Sequence, residues 1–355
     1  MSELKVDKVT PRSGTTVTLG DSGDSVAIPT GVGFNGFGFR NKIINGDFSI
    51  AQRGTSFTSG ANDDDAYTLD RWYILSDGND AIDVTQETTT VPTNQLTAIA
   101  LDVETADKKF GIAQIIEQKN CVGLIGNTVT LSFKAKVSAT TDLDNVKCAI
   151  VAWDGTADTV TSDIISAWGA EGTNPTLIAN ATYENTPANL NVTTSYATYS
   201  VTANVDTAST KNIIVFIWSD VTTVATGNFL YITDVQLEAG TTASDFEFLP
   251  YDVNLQRCQR YYQKSLAGAG GSNSGGGQVA FILPLQPDMR AQPSATLING
   301  TSVLEDFYTD RRNVTPGGTF HSGNARGRGI LVNATTTGNK VHGLFGEAYA
   351  FSAEL

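Results

Sequence analysis

The sequence predicts an all-β chain. It divides into an extended N-terminal arm (1–39), a jelly-roll β-sandwich (40–250), a connecting helix or strand (251–267) and a smaller β-rich tip (268–355). Three observations carry that expectation. Of the 355 residues only 17% are charged, against roughly 25% in ordinary soluble domains. The polar surface therefore falls to Thr, Ser, Asn and Gly, which suit exposed strand faces and turns. Apolar and polar residues also alternate with period two over several stretches, and no amphipathic helical window of comparable strength occurs before residue 250.

The arm pairs two short extended runs, Thr18-Leu19 and Val26-Ala27-Ile28, around a Gly20-Asp21 turn. Gly31 to Gly38 then sets four glycines among Phe34, Phe37 and Phe39. So few apolar residues bury no core alone, so the arm is expected to pack on another chain. In the body, Val129, Leu131, Phe133, Ala135 and Val137 alternate with Thr130, Ser132, Lys134 and Lys136, one dry face and one wet. Tyr199, Val201, Ala203 and Val205 repeat the pattern, as do Phe229, Tyr231, Val235 and Leu237. Ile213 to Trp218 is apolar without alternation, as in a strand covered on both faces. From Asp252 to Lys264 a helix is expected, capped by Asp252, with Leu255, Cys258 and Tyr262 on one face. Gly268 to Gly277 reads as a glycine-serine loop, and the tip returns to short apolar runs at 279–283, 297–298, 330–332 and 349–355.

Little here serves catalysis. There are two histidines, His321 and His342, and no G-x-S-x-G elbow, HExxH helix or phosphate loop. Asp63-Asp64-Asp65 lacks the alternation of a calcium loop and reads as solvated. Cys121, Cys148 and Cys258 are odd in number and widely spaced, so buried free thiols are expected. No cofactor, catalytic residue or metal set is predicted. The net charge of −14 argues against nucleic acid, whose phosphates need Lys and Arg. That acidity falls on the first 250 residues, since nine Lys/Arg face seven Asp/Glu from Tyr251 onward. No stretch approaches a membrane span, so no membrane insertion is expected.

Two sets of residues are candidates for binding. Trp153 and Trp168 flank turn residues and are candidate sugar-stacking platforms, whereas Trp72 and Trp218 read as core. In the tip, Tyr308, Arg311, Arg312, His321, Asn324, Arg326 and Arg328 place donors on turn-rich ground, where binding residues concentrate. These seven are the expected receptor-binding residues.

Several segments together resemble a family. They are Asn41-Lys42-Ile43-Ile44-Asn45-Gly46-Asp47-Phe48-Ser49-Ile50-Ala51-Gln52-Arg53-Gly54, Tyr67 to Trp72, Tyr231 to Gly240, Phe246-Glu247-Phe248, Cys258 to Tyr262 and Met289 to Ser294. The chain is similar to phage tail fibres that carry a carbohydrate-binding-module-like jelly roll, especially those of marine podovirus-like phages. Val6 to Gly14 and Leu19 to Asp24 resemble the tail-attachment segment of those fibres. The resemblance covers residues 1 to about 300. It implies a homotrimeric virion protein, docked on another tail protein through the arm and attaching to a host surface glycan or outer-membrane receptor. It also implies that Asp47 and Asp234 lie on neighbouring strands, where a structural Ca²⁺ is conceivable. The alternatives are a purely structural tail or head decoration and a polysaccharide depolymerase, the latter disfavoured by the lack of a β-helical repeat.

Overall fold

A computed structural model describes residues 39–207, 209–267, 270–273, 277–283, 285–291, 293–297, 302–306, 310–314, 330–336 and 340–355. The expected arm, apart from Phe39, lies outside the described residues. Thirteen strands build the body: β1 Ser56–Phe57, β2 Tyr73–Ser76, β3 Ile82–Glu87, β4 Ala98–Val103, β5 Phe110–Ile116, β6 Thr128–Val137, β7 Val146–Trp153, β8 Ile165–Ala167, β9 Thr176–Leu177, β10 Ala181–Tyr183, β11 Ala197–Asn204, β12 Asn212–Ser219 and β13 Phe229–Ala239. One antiparallel sheet runs β1-β3-β4-β13-β6-β11 and the other β10-β7-β12-β5-β2. From β4 onward the chain passes from sheet to sheet at nearly every connection, which is the winding of a jelly roll. The all-β sandwich is therefore observed as the alternation predicts.

The core lies between the sheets. Val129, Leu131, Phe133, Ala135 and Val137 of β6 face Ile213, Val215 and Ile217 of β12 within one buried cluster. The opposite face of β12 is also dry. Ile214, Phe216 and Trp218 are covered by Val160, Ile164 and Ile165 from the connection between β7 and β10, and by Leu355. That double cover explains the unbroken apolar run of β12. Trp72 and Trp218 are fully buried, as expected.

The segments that carry the family resemblance form one buried polar scaffold. Asn45 Nδ2 donates to the carbonyls of Ile50 and Asp70, while its own carbonyl accepts from the Trp72 indole. Asn41 donates to Val235 O and accepts from the Ile43 and Leu237 amides. Gly46 lies so close to β13 that an added Cβ would sit 2.1 Å from Val235 O. These side chains replace water for backbone groups that no ladder pairs.

The 251–267 region is helix and then strand: α2 Tyr251–Gln259 (after the single turn α1 Gln118–Cys121), followed by β14 Tyr262–Ala267. Asp252 is not the cap. Pro250 holds that position, and Asp252 lies in the first turn, where its charge suits the helix dipole. Cys258 and Tyr261 are buried against Ile44 and Ile50, with Leu255 packed beside them. The apolar face of this segment thus has an intrachain core and gives no support to a subunit contact.

Beyond it, β15 Gly270–Asn273 falls inside the expected glycine-serine loop, because a ladder with Lys340 to Gly343 needs only backbone groups. Strands β16 Gly277–Leu283, β17 Ser294–Leu297, β18 Ser302–Asp306, β19 Asp310–Val314 and β20 Ile330–Thr336 follow. The long β21 Lys340–Ser352 pairs with β14, β15, β17 and β18. After β21 the chain returns to the sandwich. Glu354 reaches the buried Arg71 and, at 3.1 Å, Arg53, and Tyr67 Oη donates to Leu355 O. Arg40 to Leu355 forms one compact unit. Among the described residues no helix is long and apolar enough to cross a membrane.

Candidate functional site

The decisive local feature is a β-bulge in β13. Leu230 and Ile232 are buried, and so are Val235 and Leu237, although the two pairs differ in parity. The register with β6 shifts between Thr233 and Gln236, and Asp234 adopts φ 56°. One extra residue flips every later side chain to the other face. Phe229 and Tyr231 therefore do not share the core face with Val235 and Leu237, contrary to the simple alternation. They lie half-buried on the outer face of the six-stranded sheet, with ring centroids 5.5 Å apart and planes 12° apart.

That outer face is polar. Across the strands Asp83, Asp102 and Phe229 are in register, as are Thr85, Ala100, Tyr231 and Lys136. Lys134 lies between Thr233 and Thr198. Two segments arch over it. The β3–β4 connection reaches the far edge, where Tyr196 Oη donates to Thr90 O at 2.8 Å. The segment between β13 and α2 is strapped down by Ser244 on Glu238 and by Glu247 N on Gln236. Between them lies a groove of about 490 Å³. Ser132, Lys134, Thr198 and Asp234 floor it, Thr93 to Gln95 make one wall, and Ala243 to Phe246 with Phe248 make the other. Phe248 is 60% exposed and Leu96, beside Gln95, is 84% exposed.

At the floor Asp234 pairs with Lys134 at 2.8 Å and accepts from the Gln95 amide. Burial pushes its carboxyl up, while Lys134 and Gln95 pull it down; the net direction is upward. The groove thus offers one cation, the two carboxylates of Asp234 and Asp245, the hydroxyls of Thr93, Ser132, Thr198 and Ser244, the amides of Asn94 and Gln95, and the exposed ring of Phe248. Asp102, in the open half of the face, is pushed up to about 6 by burial and then by Glu104 and Asp83. A folded-state value above the unfolded one means that Asp102 adds stability as pH falls through about 6 towards the unfolded value near 4. We expect acidification from pH 7.5 to 5.0 to raise the melting temperature of the wild type more than that of Asp102→Asn. Equal responses in calorimetry would remove Asp102 from that role.

The Trp153 platform needs correction. Trp153 is 8% exposed, its indole donates to Thr156 O, and a Cβ on Gly155 would sit 2.4 Å from the ring. A ring covered by backbone stacks on no sugar. Trp168 is half-buried and packs edge-on to Phe216 at 6.0 Å. Neither lies near the groove lining. Of the expected receptor-binding residues, Tyr308, His321, Asn324, Arg326 and Arg328 lie outside the described residues, and Arg311 and Arg312 are described only as backbone of β19.

Asp47 does not make a cation site with Asp234. Asp47 Oδ1 accepts from Ser49 Oγ at 3.0 Å and Asn254 Nδ2 at 3.2 Å, and Asp234 is held by Lys134 and Gln95. Lys134 neutralises Asp234, whereas only uncharged donors hold Asp47. Among the described residues no three His, Cys, Asp or Glu side chains converge as a metal would need. The three cysteines are free and buried, and burial pushes Cys121 up to about 12.

The wet residues Lys134 and Lys136 were legible as the polar parity of β6. The aromatic pair and the strap were not, because the bulge and the crossing of 241–250 leave no periodic signal.

No family model matches the chain, and no curated protein matches it. Solved structures do. The enzymatically active domain of tailspike protein 4 of bacteriophage CBA120 is 16% identical over 57% of this chain and 22% of its own, with a TM-score of 0.34. A putative sugar binding protein from Bacteroides thetaiotaomicron is 18% identical over 56% of this chain and all of its own, with a TM-score of 0.35. The module TmCBM61, solved with β-1,4-galactotriose, is 13% identical over 57% of this chain and 99% of its own, at 0.31. Likenesses this distant fix neither ligand nor activity for this chain.

Proposed function

We propose that the groove on the outer face of the six-stranded sheet binds a glycan, and that the protein uses it for attachment of a phage tail fibre to a host surface. The observation that carries the binding reading is the groove itself, an exposed aromatic ring beside the Lys134–Asp234 floor. A pyranose has apolar C–H faces and a rim of hydroxyls, each both donor and acceptor. Phe248 fits the first and Lys134, Asp234, Thr198 and Asn94 fit the second. The attachment role is supported by the resemblance of the 41–54, 67–72, 231–240 and 258–262 segments to tail-fibre jelly rolls. A homotrimer, which that resemblance implies, would raise a weak affinity by roughly 10²–10⁴ through avidity.

The test is binding of the full chain to a panel of soluble host-surface oligosaccharides, followed by calorimetry with the best ligand. Lys134→Ala and Phe248→Ala should each weaken it at least about tenfold, or about 1.4 kcal/mol, with unchanged melting temperature for Phe248→Ala, whose ring is exposed. Unaltered affinity in both variants would overturn the groove reading.

A further inference from the structure

The open half of the same sheet face carries a second, separate arrangement. Phe229 and Tyr231 stack as an apolar ledge, and neither lines the groove. The Thr90 carbonyl, held by Tyr196 Oη, stands between the two areas. On one side of the ledge, in register with Phe229, lies Asp102. No described donor reaches its carboxylate, and its Oδ1 is buried without a partner. On the other side, in register with Tyr231, lies Lys136. Its ammonium sits 5.4 Å from the Tyr231 ring centre and 5.9 Å from that of Tyr196. No carboxylate approaches it within 4 Å among the described residues. A buried unpaired acceptor and a part-exposed ammonium with no carboxylate partner thus flank a half-buried aromatic ledge. Leaving Asp102 Oδ1 buried without a partner costs stability unless something else satisfies it.

We propose that Phe229, Tyr231, Asp102 and Lys136 form a second sugar platform that takes one neutral pyranose. It rests on the glycan reading of the groove. The sugar lays a C–H face on the ledge, donates one hydroxyl to Asp102 and accepts from Lys136 at another. Asp83 lies across from Asp102 in register, and Glu104 acts on Asp102 through its charge. Those carboxylates repel an anionic sugar, so a uronic acid is excluded at this platform.

The experiment is calorimetry on the full chain with neutral hexasaccharides of glucose, xylose, mannose and galactose, and with a hexauronate as the charged comparison. The wild type should show two sites per chain for a neutral ligand and fewer for the uronate. Phe229→Ala with Tyr231→Ala should leave one site. Lys136→Met, which keeps the aliphatic stem, should keep both sites but weaken one about tenfold. Lys134→Ala should leave only the platform site. One wild-type site that Lys134→Ala removes and the platform variants spare would overturn this inference and leave the groove reading standing. One site with the reverse pattern would keep the platform and discard the groove. No binding across the neutral panel would discard both.

Discussion

Asp220→Ala is expected to unfold the sandwich at temperatures the wild type survives. Asp220 follows β12 and is fully buried, as are its partners Lys109 at 1% and Lys147 at 4% exposure. One carboxylate serves two ammoniums: Lys109 donates to Oδ1, and Lys147 sits 2.7 Å from Oδ2, which also accepts from Gly172 N at 2.8 Å. Burial alone would raise the Asp220 carboxyl, but the two lysines and the Gly172 amide hold it below its ordinary value. Lys109 and Lys147 have only Ala170 O and Asn174 Oδ1 besides. Removing the carboxylate strands two buried positive charges. Breaking a single buried pair costs about 3–5 kcal/mol, a large part of the 5–15 kcal/mol that holds a typical domain. For a body of this size that corresponds to a fall of roughly 6–20 °C in melting temperature. Replacing all three residues by Leu and two Met should recover much of it, because apolar groups of similar volume leave nothing unpaired. A melting temperature of Asp220→Ala within about 2 °C of wild type would refute the account.

This cluster also marks where the sequence stops being informative. Lys109 and Asp220 are 111 positions apart, and nothing local to either residue announces the other. What was legible rests on local period and local chemistry. The dry and wet parities of β6 place its core and its lysines correctly, and the unbroken run of β12 announces cover on both faces. Trp72 and Trp218 declare themselves by their apolar strands. What failed did so for identifiable physical reasons. Trp153 stands beside a turn, which suggests exposure, yet the turn folds Gly155 over its ring. The helix face of α2 looks partnerless because Ile44 and Ile50, which cover it, lie more than 200 positions earlier. The strap over the groove has no period because its hydrogen bonds go to Gln236 and Glu238 side chains rather than to a ladder. The candidate site is assembled from such non-local features, so its residues escaped the sequence reading while its scaffold did not.

Deletion of Asp234 is expected to leave both buried pairs of β13 in the core, for a reason that ties fold to site. The bulge places Leu230 and Ile232 in the core ahead of it and Val235 and Leu237 after it, all with no exposure. Without the extra residue Ile232 and Val235 stand two positions apart, so a regular strand carries all four side chains on its core face and the ladder with β6 closes without a shift. Phe229 and Tyr231 therefore keep the outer face, and so do Gln236 and Glu238, which anchor the strap. Asp234→Gly separates the two roles of the position. Glycine adopts the left-handed φ of 56° freely, so the bulge should persist and the melting temperature should stay within a few degrees of wild type. The carboxylate that holds Lys134 and Gln95 is gone, however, so the groove floor should lose its order. Denaturant unfolding of the two variants decides the matter. A deletion variant far less stable than Asp234→Gly would show that the bulge does more than reconcile the two parities of β13.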